Sequence, residues 1–244
     1  MNHKVLYFSH GDKGGVGKSV VASVMTDWLQ ERGHCLAVVD GDESNNDVGR
    51  RFLDAEGIYA AALRLNDPSD AEASIARFSN WLEARPQIDR VVINLPANAS
   101  ETLDGQAEIL RDVAEALGFK MRVVYSVGKS VPAAQMLQKS FTSGLMSVVH
   151  PGDRMVLFPE FDARPEDTAW YGIKDDCVAH EAVFPALRPA EAFNQVLRLE
   201  MPYSAIVRTR PPGITLHTVI SLKRWLDNAR KALAPIMDIE GEDK

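Results

Sequence analysis

The chain has 244 residues, 45% of them apolar, enough to bury a sizeable core without metal or disulfide staples. Its 27 Lys and Arg against 34 Asp and Glu leave a net charge of −7, so any contact with nucleic acid needs a local basic patch. Ordinary charged and aromatic fractions (25% and 7%) exclude disorder, and Cys35 and Cys177 lie too far apart in sequence for a disulfide framework or a zinc or iron–sulfur pair. No run approaches the ~18 apolar residues of a membrane span. The apolar run after Met1 is too short for a signal peptide, and a cytoplasmic protein is expected.

Strand-like and helix-like segments alternate from the start. Val5 to Phe8 is a short apolar run leading into Ser9-His10-Gly11, which reads as a buried strand entering a loop. From Lys18 to Arg32, Val20, Val21, Val24, Met25, Trp28 and Leu29 recur at helical spacing, and Gly33 follows as a C-cap. Leu36 to Val39 is the next buried strand and ends at Asp40. The spacing then predicts a helix over Ser69 to Ala84, with Ser69 and Glu72 as a capping box, and a strand over Arg90 to Leu95. A helix capped by Ser100 is expected from about Glu101 to Leu117. Strands follow at Met121 to Val127, Met155 to Phe158 and Val183 to Pro185, with Pro132 and Pro189 opening helices.

Repeated strand–helix–strand order implies a three-layer α/β/α domain on a mostly parallel sheet, with ligands at the strand ends. One domain over residues 1–244 is expected. The proline-rich stretch 150–180 is either a lid or partner surface or, more plainly, a surface excursion.

The stretch Lys13-Gly14-Gly15-Val16-Gly17-Lys18-Ser19 falls between a strand and an amphipathic helix. Glycines let successive backbone N–H groups aim inward, and the helix start adds positive potential for phosphate. Lys18 can reach the β- and γ-phosphates, and the Ser19 hydroxyl can ligate Mg²⁺. The standard phosphate-loop pattern wants Gly at position 12, where Asp12 stands.

With its extra lysine ahead of the glycines, this loop resembles the deviant Walker A box of the ParA/MinD-type ATPases, a SIMIBI-class group of phosphate-loop proteins. Val38-Val39-Asp40-Gly41-Asp42 is similar to that family's apolar-then-Asp-x-Asp motif, and Val91 to Ala97 to its Walker B segment. Phe184-Pro185 followed by Pro189 and a helix resembles its adenine-side loop. Size and the unusual Asn94 look most like the short branch linked to plasmid stability and conjugal transfer.

The resemblance implies ATP and Mg²⁺ as cofactors and a homodimer formed on ATP binding. Asp12, Lys13, Gly14, Gly15, Val16, Gly17, Lys18, Ser19, Val20 and Pro185 would contact nucleotide. Lys18 would neutralise phosphate, Lys13 would reach the partner's nucleotide across the interface, and Asp42 would position the attacking water. Ser19 would hold Mg²⁺, Asp40 would support the metal or the loop, and Asn94 would act on the metal through water. A helix N-cap or solvated turn is the plain reading of Asp40 and Asp42. Asn94 stands where the family has Asp; its carbonyl oxygen fits the same place without charge, which implies weaker metal binding or slow turnover.

Residues 214–236 form an amphipathic helix whose apolar face suits core or dimer packing. Lys223, Arg224, Arg230 and Lys231 on its polar side, with Arg208 and Arg210 upstream, form either a solvated basic face or a nonspecific DNA patch. The resemblance implies a slow ATPase switch in plasmid partition, stability or conjugal DNA transfer, with a plasmid-encoded DNA-binding protein as partner. The alternatives are a nucleotide-binding scaffold with little hydrolysis and a small-molecule ligase or kinase of the same superfamily.

Overall fold

The computed structural model describes residues 4–11, 14–41, 46–63, 65, 70–97, 99–162, 164–174 and 180–237. Seven strands form one sheet in the order β3-β2-β4-β1-β5-β6-β7, every neighbouring pair parallel. They are β1 (Lys4–His10), β2 (Leu36–Asp40), β3 (Ile58–Ala62), β4 (Arg90–Asn94), β5 (Phe119–Ser126), β6 (Arg154–Pro159) and β7 (His180–Phe184). The helices are α1 (Lys18–Glu31), α2 (Asp47–Arg51), α3 (Ala71–Glu83), α4 (Ala99–Thr102), α5 (Ala107–Ala116), α6 (Val131–Ser143), α7 (Leu145–Val148), α8 (Ala190–Leu197), α9 (Tyr203–Thr209) and α10 (Leu216–Met237).

Alternate residues of the buried strands feed two cores. Leu6, Phe8, Val91, Ile93 and Val123 pack on one face with α3, α5 and α6; Val5, Tyr7, Val38, Val92 and Val124 pack on the other with α1, α9 and α10. This is the three-layer architecture that the alternating pattern implies. Among the described residues no helix is long and apolar enough to cross a membrane.

Three elements depart from the expectations. The strand β3 is an addition; its Ile-Tyr-Ala-Ala-Ala lies half exposed beside β2 and lacks the apolar density of a buried strand. The helix expected over 101–117 is broken: α4 ends at Thr102, a 3₁₀ turn spans Asp104–Gln106, and α5 starts at Ala107. The reason is Asp104, which turns into the interior to accept hydrogen bonds from His10, Ser140 and Leu145. Within 150–180, Trp170 is buried and stacks on Phe141 at 5.5 Å, which pins the stretch around it to the core. Ser69 and the side chain of Ser100 lie outside the described residues.

The last helix straps the α1 face. Tyr7 Oη donates to the Met237 carbonyl at 3.0 Å and Arg122 Nη1 to that of Ile236 at 2.8 Å. Arg230 pairs with Asp27 of α1 at 3.2 Å and with Glu31, so it is withdrawn from the basic face on which the sequence placed it. Lys223, Arg224, Lys231, Arg208 and Arg210 remain exposed.

Asp27 also accepts from the Ser204 hydroxyl at 2.6 Å and the Ser204 amide at 3.1 Å. Burial pushes its carboxyl up to about 6 from 3.8, against the pull of Ser204 and Arg230. The folded state therefore holds this proton more tightly than the unfolded chain does. The resulting stabilisation is complete below pH 4 and is lost as pH rises through 6, by at most about 3 kcal/mol. Urea denaturation at pH 4.5 and pH 7.5 should show this component in the wild type and not in Asp27→Asn. Equal pH dependence in the two proteins would contradict it.

Candidate functional site: a phosphate cradle at the strand ends

In register, Ser9 of β1 and Asp40 of β2 both stand opposite Asn94 of β4, so three strands bring polar side chains to one edge. The chain leaves β1 through Gly11, where a Cβ would lie 2.7 Å from the Ser126 carbonyl oxygen; only glycine fits so close to β5. Asp12 and Lys13 lie outside the described residues, as does Asp42. Gly15 and Gly17 take φ of 84° and 89°, left-handed values that turn the loop into α1. No side chain caps α1, which leaves the first-turn amides facing the loop. Ser9 Oγ donates to the Lys18 carbonyl at 2.9 Å and Ser23 Oγ to that of Ser19 at 2.7 Å, fixing the helix start.

Asn94 Nδ2 donates to Asp40 Oδ1 at 2.8 Å and to Ser19 Oγ at 3.3 Å. Its Oδ1 is buried and has no partner among the described residues. The other oxygen of Asp40 accepts from the amides of Val48 and Gly49, so Asp40 caps α2, which is its plain reading from the sequence. Burial raises the Asp40 carboxyl, while Asn94 and the two amides pull it back. The Gly41 amide donates to the Asn94 carbonyl at 2.8 Å, and a Cβ there would meet Asn94 O and Pro96 Cδ at 2.9 Å. The second motif and the Walker B-like segment are thereby locked together.

A cleft of about 660 Å³ opens over these groups. Gly14, Gly15, Gly17, Lys18, Ser19 and Val20 line it along the loop and α1, and Asn94 with Pro96 closes one end. Phe161 flanks Gly17, and the opposite wall is Phe193, Leu197, Leu199 and Tyr203, with Arg50 and Arg51 beside it. Val16 is buried beneath the loop. Pro185 is not in the lining: its carbonyl accepts from Trp225 Nε1 at 2.8 Å, and α8 with the following segment supplies the wall instead. Phe161, Phe193 and Tyr203 are additions to the site, because no local pattern marks residues that meet the loop only through the fold.

The uncapped glycine loop, Lys18 and the orphaned Asn94 oxygen fit a triphosphate with a divalent cation. The donors are amides and an ammonium for the phosphates, with a hydroxyl and a neutral carbonyl oxygen for the cation side.

Comparison with known structures places this architecture. Septum site-determining protein MinD from Pyrococcus horikoshii, solved with Mg-ADP, superposes with a TM-score of 0.51 at 15% identity, over 97% of this chain and 99% of that one. The fold is that of the MinD-type ATPases. A plasmid partition protein from Borrelia burgdorferi matches the MinD/ParA-type fold of this chain with a TM-score of 0.50 at 12% identity, over 80% and 97% of the two chains. In sequence, protein MobD of Acidithiobacillus ferrooxidans is 27% identical over 239 residues, 96% of this chain and 98% of MobD. No protein-family model matches the chain.

Proposed function

We propose that the protein is an ATP-dependent dimerising switch with slow hydrolysis, acting in plasmid partition, stability or conjugal DNA transfer through a DNA-binding partner. The observation that carries this is the convergence of Ser19, Asn94 and the uncapped start of α1 on one cleft. The MinD-type fold, the Mg-ADP held by the Pyrococcus protein and the likeness to MobD and a plasmid partition protein support it.

In this reading the loop amides and Lys18 bind and orient the phosphate tail. Bound Mg²⁺ supplies charge neutralisation between the phosphates. The Ser19 hydroxyl would hold it and Asn94 would act on it through water, with the Asn94 amide held by Asp40. Asp42 positions the attacking water, and Lys13 reaches the partner's nucleotide. Sedimentation of wild type and Lys13→Ala with ADP and with a non-hydrolysable ATP analogue tests this. A dimer formed by the wild type only with the analogue, and by Lys13→Ala with neither, is expected. A wild type that stays monomeric with both overturns it.

The neutral Asn94 favours a second reading, a nucleotide-binding scaffold that hydrolyses little, and single-turnover hydrolysis decides between the two. Asn94→Asp is informative for both. It replaces the donor to Asp40 by a second carboxylate in a buried site, which should cost the nucleotide-free protein about 2 kcal/mol. Mg²⁺ with nucleotide should recover part of that loss and speed turnover. Unchanged stability, Mg²⁺ dependence and turnover would refute the role given to Asn94.

A further inference from the structure

His10 is the last residue of β1 and is fully buried. Its Nδ1 accepts the Gly11 amide at 2.8 Å, and its Nε2 lies 3.1 Å from Asp104 Oδ1. A ring nitrogen that accepts from an amide carries no proton, so Nε2 carries it and donates to Asp104; the imidazole is neutral. Asp104 is itself held from the far side, by the Leu145 amide at 2.8 Å and Ser140 Oγ at 3.4 Å. Gly144 makes room for this: a Cβ there would stand 2.4 Å from Asp104 Cγ. Asp104 Oδ2 is buried and has no partner among the described residues. The Tyr125 ring packs at 4.5 Å, so Asp104 and Tyr125 both face His10.

We propose that His10 is a positioning residue for the phosphate loop: its neutral tautomer, set by Asp104, holds the first peptide of the loop, and protonation of the ring releases that peptide and weakens the cradle. The inference rests on the reading of residues 14–19 as a phosphate cradle. An imidazolium has a proton on both nitrogens, so Nδ1–H and the Gly11 N–H would face each other at 2.8 Å, and one must turn away. Gly11 is the partner free to move, having no side chain to wedge against Ser126. Ligand binding that needs the loop in place therefore favours the neutral ring and competes with the proton.

Two substitutions test it. His10→Asn places a non-titrating acceptor where Nδ1 stands; His10→Gln reaches the Nε2 position and loses the bond to Gly11. Affinity for a non-hydrolysable ATP analogue with Mg²⁺ is measured by calorimetry from pH 5.5 to 8. The wild type should lose about tenfold more affinity on acidification than His10→Asn does, the scale of one buried hydrogen bond. His10→Gln should bind about tenfold more weakly than the wild type at pH 8 for the same reason. In the unliganded wild type, the Gly11 amide resonance should titrate together with the His10 ring, a readout that needs no variant. Parallel pH profiles in wild type and His10→Asn, or a Gly11 amide blind to the ring's titration, would overturn the inference alone. Nucleotide refused at every pH by every form would overturn the cradle reading and this inference with it.

Discussion

Replacing Lys18 by alanine should weaken binding of a triphosphate about a hundredfold, the scale of removing one charge-assisted hydrogen bond from a desolvated site. Lys18 is the first residue of α1, and only 8% of it is exposed. Lys18 lines the cleft together with the glycines and the uncapped helix start. The pattern to look for is a large loss of affinity with a much smaller change in Tm. A matching loss in both would mean that Lys18 serves the fold rather than the phosphate tail.

The second large effect belongs to Trp225. Its ring meets Phe184 edge-on at 6.1 Å and Tyr203 at 5.4 Å, and its indole N–H holds the Pro185 carbonyl at 2.8 Å. Trp225→Ala opens a cavity at the junction of β7, α9 and α10 and should cost about 3–5 kcal/mol. The Tyr203 ring it supports also carries the Arg51 guanidinium at 4.3 Å and forms part of the cleft wall. Nucleotide affinity should therefore fall alongside stability. Trp225→Phe should restore most of the packing but not the hydrogen bond, leaving a deficit of about 1 kcal/mol. Urea midpoints for the two variants check this. An alanine variant within about 1 kcal/mol of the wild type, on the scale set by core truncations, would be inconsistent with it.

The parts of this protein that the sequence announces are those built from neighbours in the chain. The β1–loop–α1 unit is legible because a buried strand, three glycines and an amphipathic helix follow one another without interruption. Asn94 is legible at the end of its apolar strand, but its bond to Asp40 is not. What stays hidden depends on distant partners. The break at Leu103 needs His10 and Leu145, which the local pattern of 101–117 does not contain. Arg230 looks like surface charge because Asp27 lies on another helix. Nothing near Pro185 in the chain reveals Trp225, whose indole N–H holds its carbonyl. The strand β3 escapes notice because three alanines at a sheet margin carry little of the signature of a strand.

The strap formed by α10 also bears on synthesis. While the chain is emerging from the ribosome, β1 and α1 are present long before the helix that completes them. Until α10 has cleared the exit tunnel, Asp27 has no Arg230, Tyr7 lacks the Met237 carbonyl, and the Pro185 carbonyl lacks Trp225. Fragments cut short ahead of α10 should therefore fail to complete the α1 face.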